Sequence, residues 1–399
     1  MSVISLEKHN GESPHVPIDL FEEVARTGPG TLAGRYMRQF WIPVGVSHQL
    51  APGKAKPITV MSEKFTLFRG TEGVAHVLPF NCPHRGTQLS VGYVKEDSIS
   101  CLYHGWEFAG SGQCVAMPGE RAGLADTLKI KNYPTREHIG LIYAYLGEGE
   151  PPAFPPYPAF EGDGLIEIDC EVFDNNYFQS WENDWDIYHA NFTHRTGQLH
   201  GMDFDRWIAT EEFEETDFGV VRSGETGMGT FHSTLLMPTT VRLVIPTLNE
   251  QSRRSGPQLR RTYITHVPLD DMRDIAYVSM HVPVYGAQAQ AEYLASRKEV
   301  QRIRAQAPSP QSVAAKIRAG EASILDYKDH PALVIIEDLC AQGGQGVVAD
   351  RRAERLGRTD RGVVYLRRLW ERELQALADG RPTKRWTTPD ALPDPHVVH

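Results

Sequence analysis

The sequence predicts an α+β protein of two domains, and three observations carry that prediction. Between residues 41 and 146, short apolar runs such as Phe65–Phe68 and Ile142–Leu146 are cut apart by Gly and Pro, the punctuation of an antiparallel β-sandwich. From about 165 to 284 a second series of alternating runs reads as one antiparallel sheet. The last hundred residues change to helical period, so helices follow the sheet as a block and cover it.

Taken in order, residues 1–40 form an N-terminal arm with one short helix, Ile18 to Thr27, stopped by Gly28-Pro29-Gly30. Phe40 to Val44 then leads into the first β-rich domain, 41–146. The stretch from Gly147 to Phe160 holds five prolines in fourteen residues, which fit neither a helix interior nor a central strand. Residues 147–160 are therefore the boundary, either a stiff linker or a strap on the surface. The second domain, 161–399, opens with a strand from Leu165 to Phe173 and a helical segment from Asn183 to His194. Strands are expected at Gly219–Arg222, Thr240–Ile245, Leu259–His266 and Ile275–Val284, divided by turns such as Ser255-Gly256-Pro257. Helices follow at Ala287–Ala305, Ser312–Arg318, Ala332–Ala341 and Gly362–Ala378.

Composition narrows the function. The chain has 399 residues, of which 41% are hydrophobic and 23% charged, as in ordinary globular proteins. A net charge of −10 argues against nucleic acid as a partner. Five cysteines, at 82, 101, 114, 170 and 340, make no disulfide framework and fit a reducing cytosol. Neither a signal-peptide core nor a membrane-length apolar run occurs, so a cytoplasmic protein without a membrane partner is expected.

The chemistry begins at Asn81 to Trp106. Cys82-Pro83-His84 is followed, after sixteen residues, by Cys101-Leu102-Tyr103-His104. Such pairs can hold two irons bridged by sulfide, one on the thiolates of Cys82 and Cys101, the other on the imidazoles of His84 and His104. Neutral imidazoles in place of two thiolates raise the cluster potential, which suits an electron relay. The competing reading is a structural zinc with two Cys and two His, although zinc pairs are normally Cys with Cys and His with His. Gly86 and Gly105 follow the pairs where loops must fold tightly over a buried group. The motif resembles the Rieske [2Fe–2S] signature over its full length.

A second constellation lies in Trp181 to Arg195, where Asp186, His189 and His194 stand as D-x2-H-x4-H. On a regular helix 186 and 189 share a face and 194 does not, so both histidines meet one metal only if the helix ends or distorts between them. Two histidines and a carboxylate on one side of an iron leave positions open for oxygen and substrate. A third ligand must come from farther on, with Asp326, Asp329, Glu337 and Asp338 as candidates. Asp338 is preferred, because a charge flanked by Val334-Ile335-Ile336 and Leu339 is costly unless a metal compensates it. Arg195 reads more readily as an ion-pair residue than as a substrate-carboxylate ligand. Asp184 reads as an ordinary helix carboxylate, and His200, His232, His266 and His281 as edge or core histidines.

Together the two constellations resemble the large (alpha) subunit of Rieske non-haem iron oxygenases, from about residue 28 to 380. The later stretch carries Gly346, Asp350 and Arg351, then Leu356, Gly357 and Asp360. It is similar to the phthalate-dioxygenase-like branch of aromatic ring-hydroxylating oxygenases and O-demethylases. Glu337 departs from that branch, which often has glutamine there. The resemblance implies His189, His194 and Asp338 as ligands of a mononuclear Fe(II). It implies Asp186 as a bridge between His104 of the partner subunit and His189, its carboxylate accepting the free imidazole N–H. Asn183 makes an N-x2-D pattern similar to demethylating members, although a helix-end hydrogen bond explains it equally well. The resemblance further implies O2 as co-substrate and a small aromatic substrate, often carboxylate-bearing. It implies electrons from NAD(P)H through a separate flavin/iron–sulfur reductase or a ferredoxin, and a homotrimer or dimer of trimers. No G-x-G-x-x-G fingerprint follows a strand, so the reductase is a different chain. The rival expectation is a Rieske-type electron-transfer protein whose second domain binds a ligand without catalysis.

Overall fold

The computed structural model describes residues 17–155, 164–196, 210–226, 229–246, 259–389 and 392. Two short helices open it, α1 (Leu20–Ala25) and α2 (Leu32–Met37). The first is shorter than the apolar pattern predicts, because Arg26 is already extended at φ −100°. Ten strands follow among the described residues: β1 (Trp41–Val46), β2 (Ala55–Val60), β3 (Glu63–Arg69), β4 (Ala75–Pro79) and β5 (Tyr93–Lys95), then β6 (Ser98–Ser100), β7 (Glu107–Ala109), β8 (Cys114–Ala116), β9 (Thr135–His138) and β10 (Leu141–Tyr145). They pair as three small antiparallel sheets, ordered β1-β10-β9, β2-β3-β4 and β5-β6-β7-β8. The four-stranded sheet has its own core of Phe68, Leu78, Leu89, Ile99 and Phe108, into which Cys82 and Cys101 also pack. The described part of the proline-rich stretch is a strap. Trp41 donates its indole N–H to the Pro152 carbonyl at 2.9 Å, and Phe154 packs edge-on to Trp41 and Tyr143. Residues 156–163 of that stretch lie outside the described residues.

The second half is built on one antiparallel sheet of seven strands: β11 (Leu165–Phe173), β12 (Glu212–Glu215), β13 (Gly219–Thr226), β14 (Gly229–Leu236), β15 (Thr240–Pro246), β16 (Leu259–Pro268) and β17 (Asp274–Val282). The order β11-β17-β16-β15-β14-β13-β12 is a meander, closed by β17 returning beside the first strand. Helices α3 (Tyr177–Trp185) and α4 (Ile187–Thr193) leave β11, and α3 lies on β15 and β16. The helical block is α5 (Ala287–Gln306), α6 (Pro310–Arg318), α7 (Leu333–Gly344) and α8 (Arg361–Ala378). The fold is thus α+β, as the patterning predicts. Among the described residues no helix is long and apolar enough to cross a membrane.

The main core runs through both halves, joining Trp41, Ile42 and Tyr143 to Trp181, Trp185, Val241 and Trp370. Backbone bonds from Met61 and Ser62 to the carbonyls of Pro268 and Leu269 fasten the first half to the large sheet. An ion cluster holds α3 in place. Buried Glu182 accepts from Arg351 at 2.8 Å and from Arg367 at 2.6 Å, and Arg367 also pairs with Glu354. Gly346 bends the chain between these groups at φ +99°, while Asp360 accepts from the Gly357 N–H at the start of α8. Gly346 and Arg351 therefore help seat α3, through Gln179 and Glu182, while Gly357 and Asp360 close the turn that leads into α8. Arg351→Met removes one of the two cations on buried Glu182 and leaves Arg367, so unfolding stability should fall by about 1.5–3 kcal/mol, the range for hydrogen bonds to a charged group. A urea midpoint unchanged from wild type would show that Glu182 does not depend on Arg351.

Candidate active site

The two Cys/His loops are copies of one turn. In each, the Cys carbonyl accepts from the Gly N–H four residues on, Cys82 from Gly86 at 2.9 Å and Cys101 from Gly105 at 3.0 Å. Each Cys N–H donates to the carbonyl five residues on, at 2.8 Å in both loops. Gly86 and Gly105 sit at φ +72° and +73°, a conformation costly for residues with a Cβ. The turns bring His84 and His104 together with ring centroids 4.5 Å apart, and Trp106 stacks flat on His84. Both cysteines are buried, and burial pushes the Cys82 thiol up to about 11, so it stays protonated unless a metal takes the sulfur. His84 Nδ1 is buried without a hydrogen-bond partner. The donor set fits an iron–sulfur cluster.

It does not fit a single zinc. One tetrahedral zinc keeps its ligand atoms within roughly 4 Å of one another. Among the described residues, the one group of three or more such ligands within 4.8 Å is His189, His194 and Asp338. The Cys and His pairs are therefore too far apart for one ion, as expected if each pair serves its own iron.

The group of His189, His194 and Asp338 is built by a broken helix. Asp186 ends α3 and begins α4, its carboxylate accepting the Tyr188 N–H at 2.9 Å. His189 follows within α4, and His194 caps its C-terminus at φ −94°, ψ +15°, outside the helix. That ending is what the five-residue step requires. Asp338 comes from α7, with Oδ1 at 3.8 Å from His189 Nε2 and 3.5 Å from His194 Nε2. Each Nδ1 is held from behind: His189 bonds the Asp186 carbonyl, and His194 meets Glu337 Oε2 at 3.1 Å. With the Nδ1 atoms committed, both Nε2 atoms face the carboxylate. Burial pushes Asp338 up to about 8 and drags His194 down to about 4. A divalent cation offsets the buried charge and prefers the neutral imidazole.

One expectation needs correction. The Asp186 carboxylate is engaged by the Tyr188 N–H, and the main-chain carbonyl of the same residue takes the His189 N–H. Asn183 reaches the site, its side-chain amide 3.2 Å from Asp338 Oδ1 and 3.3 Å from His189 Nε2. Asp326 and Asp329 are exposed elsewhere, Asp326 capping its own turn through the Ser323 N–H. Arg195 is exposed, and His200 lies outside the described residues. Sequence reasoning missed Glu337 as the partner of His194, although its place beside Asp338 on an apolar helix was a usable signal. His266 is a core histidine, as expected, and it pairs with Asp184 at 2.9 Å, a partner the sequence did not reveal.

Comparison with known proteins places a Rieske [2Fe-2S] domain at residues 40–134. The chain is 26% identical over 390 residues to the 5,5'-dehydrodivanillate O-demethylase oxygenase subunit of Sphingobium sp. (strain NBRC 103272 / SYK-6), covering 91% of this chain and 81% of that one. It is 27% identical over 407 residues to the phenoxybenzoate dioxygenase subunit alpha of Ectopseudomonas oleovorans, covering 94% and 89%. In fold it matches the oxygenase in an oxygenase–ferredoxin complex of carbazole 1,9a-dioxygenase, with TM-score 0.63 and 18% identity over 86% of this chain and 92% of that one.

Proposed function

This chain is an oxygenase subunit of the Rieske non-haem iron type, and from that premise we propose that it is the terminal component of a multicomponent system acting on an aromatic, carboxylate-bearing substrate. Residues 41–146 are the electron-relay unit, with Cys82 and Cys101 on one iron and His84 and His104 on the other. Residues 161–399 are the catalytic unit, where His189, His194 and Asp338 hold the mononuclear iron. When bound, the cluster supplies single electrons and the Fe(II) supplies O2 activation for hydroxylation or oxidative O-demethylation.

The chain's own groups set the stage for that chemistry. The Asp186 carbonyl and the Glu337 carboxylate fix the imidazole tautomers, so that Nε2 is the metal-facing atom of each ring. The Asn183 amide N–H donates to Asp338 Oδ1, limiting its rotation. Asp186 is the bridge to the cluster of a neighbouring copy. A head-to-tail homotrimer, alone or doubled, would bring the two together. The exposed Leu102 and Tyr103 beside His104 (51% and 55%) support a surface-facing cluster.

Electrons come from NAD(P)H through a separate reductase or ferredoxin. Two features support this: no dinucleotide fingerprint in the chain, and a structural relative solved with a ferredoxin. The substrate class rests on relatives named for aromatic acids. A cytoplasmic setting is supported by five free cysteines.

The convergence of His189, His194 and Asp338 within 4.8 Å carries the reading. Its test is the iron content of the purified chain, joined to a screen of aromatic acids that follows O2 uptake and product mass with a surrogate reductase. One iron beyond the cluster pair, and substrate-dependent O2 uptake, are expected. A chain with cluster iron alone and no turnover would be an electron carrier with a ligand-binding domain.

A further inference from the structure

We propose that Asp184, His266 and Asp274 form a charged brace that sets the iron site's geometry, with His266 as its positioning residue. The proposal rests on the metal-site reading above. His266 lies on β16, buried at 2% exposure. Its Nε2 is 2.9 Å from Asp184 Oδ2 and its Nδ1 is 2.7 Å from Asp274 Oδ2. Ionised carboxylates only accept hydrogen bonds, so a ring held on both sides by them must donate from both nitrogens. The ring is then an imidazolium. Burial opposes that charge, but Asp184 and Asp274 outweigh it and hold the ring up at about 10. The groups facing it are Asp184 from α3, Asp274 from β17, the Phe173 ring from β11 and, farther off, Asp338 from α7.

The brace continues in both directions. Ser180 Oγ is 3.0 Å from Asp274 Oδ1 and 2.8 Å from the Gln342 side-chain amide. Gln342 stands one turn beyond Asp338 on α7 and also accepts, through its main-chain carbonyl, from Gln179 at 3.2 Å. At the other end Asp184 adjoins Asn183, whose amide touches both Asp338 and His189. One hydrogen-bonded chain thus begins beside the α3 end of the site and finishes a turn from its α7 ligand. It pins both elements to the sheet. None of its members is a proposed ligand. A connected polar network of this kind rigidifies what it joins, and cutting one link loosens the rest.

The experiment uses the cluster-loaded chain stripped of its mononuclear metal and titrated with Co(II). His189→Ala, which removes a ligand, is the reference for lost binding. Asp184→Asn keeps an oxygen to accept the His266 N–H and should bind Co(II) much as wild type does. Asp184→Leu removes the acceptor and should weaken binding by about 10–100-fold. Should Asp184→Leu misfold, Ser180→Ala cuts the same chain between Asp274 and Gln342, and weaker binding is again expected. Solid-state 15N NMR of histidine-labelled wild type minus His266→Gln should show two protonated ring nitrogens at pH 8. A neutral ring there, or Co(II) binding in Asp184→Leu and Ser180→Ala equal to wild type, overturns the brace. Wild-type chain that takes up no Co(II) overturns the metal-site reading and the brace with it.

Discussion

His189→Ala should leave the cluster's visible absorbance intact while removing the mononuclear iron and all turnover. The two proposed metal centres share no ligand and lie in different parts of the fold: the cluster loops belong to the β5-β6-β7-β8 region, whereas His189 is carried by α4, which follows β11 of the seven-stranded sheet. With the imidazole gone, His194 and Asp338 remain, a pair too few to retain iron against dilution. Asp338→Ala should behave alike. Glu337→Ala tests the layer behind them. It leaves all three ligands but frees the His194 ring, and iron affinity should fall by about 10–100-fold. Metal analysis beside the absorbance spectrum separates these outcomes. Full iron in Asp338→Ala would move the third ligand to another carboxylate. Loss of cluster colour in His189→Ala would mean that the two halves do not fold independently enough for the assignment.

Much of this was legible because it is local. Strand β11 has the bounds its alternation predicts, Leu165 to Phe173, held between Gly164 and the Asp174-Asn175-Asn176 turn. The cluster turns close over four residues, and D-x2-H over one helical turn, so spacing alone reveals them. Helix α2 was not legible, since Gly34 in its centre is a poor helix former. That glycine is demanded by packing, because a Cβ there would sit 2.0 Å from the Gly28 carbonyl oxygen. The three-residue strands β5 to β8 are too short to show alternation. Contacts spanning large separations left no trace either: His194 meets Glu337 across 143 positions and His266 meets Asp184 across 82. Apolar Val334-Ile335-Ile336 betrayed Asp338, because a lone charge in such a run needs an explanation. Nothing comparable surrounds His266. At Asp186, spacing brought the right residue to His189 but pointed to the wrong oxygen, the carboxylate in place of the main-chain carbonyl.

That distinction sharpens the last expected result, which is that Asp186→Asn keeps its iron and loses its electron supply. Residue 186 has two local duties, one by its side chain and one by its main chain, and neither needs a charge. As the N-cap of α4 it accepts the Tyr188 N–H, and asparagine caps helices as well as aspartate does. The His189 anchor is the main-chain carbonyl of residue 186, which the substitution leaves untouched. Fold, cluster and iron content should therefore stay near wild type. What changes is the second carboxylate oxygen, which in the proposed trimer would accept from His104 of a neighbouring copy. Burial raises the Asp186 carboxyl, and His189 works against that rise. An amide in its place presents N–H toward an imidazole N–H, and the hydrogen-bonded path is broken. Losing one such partner typically costs about 10–100-fold, and an interrupted relay should cost more. Asp186→Ala is the contrast: it removes the cap as well, at about 1 kcal/mol, and should also loosen His189. The measurement is a single turnover with pre-reduced protein, substrate and O2, following cluster reoxidation by absorbance and product by mass. Asp186→Asn protein that reoxidises and yields product at the wild-type rate would remove Asp186 from the electron path.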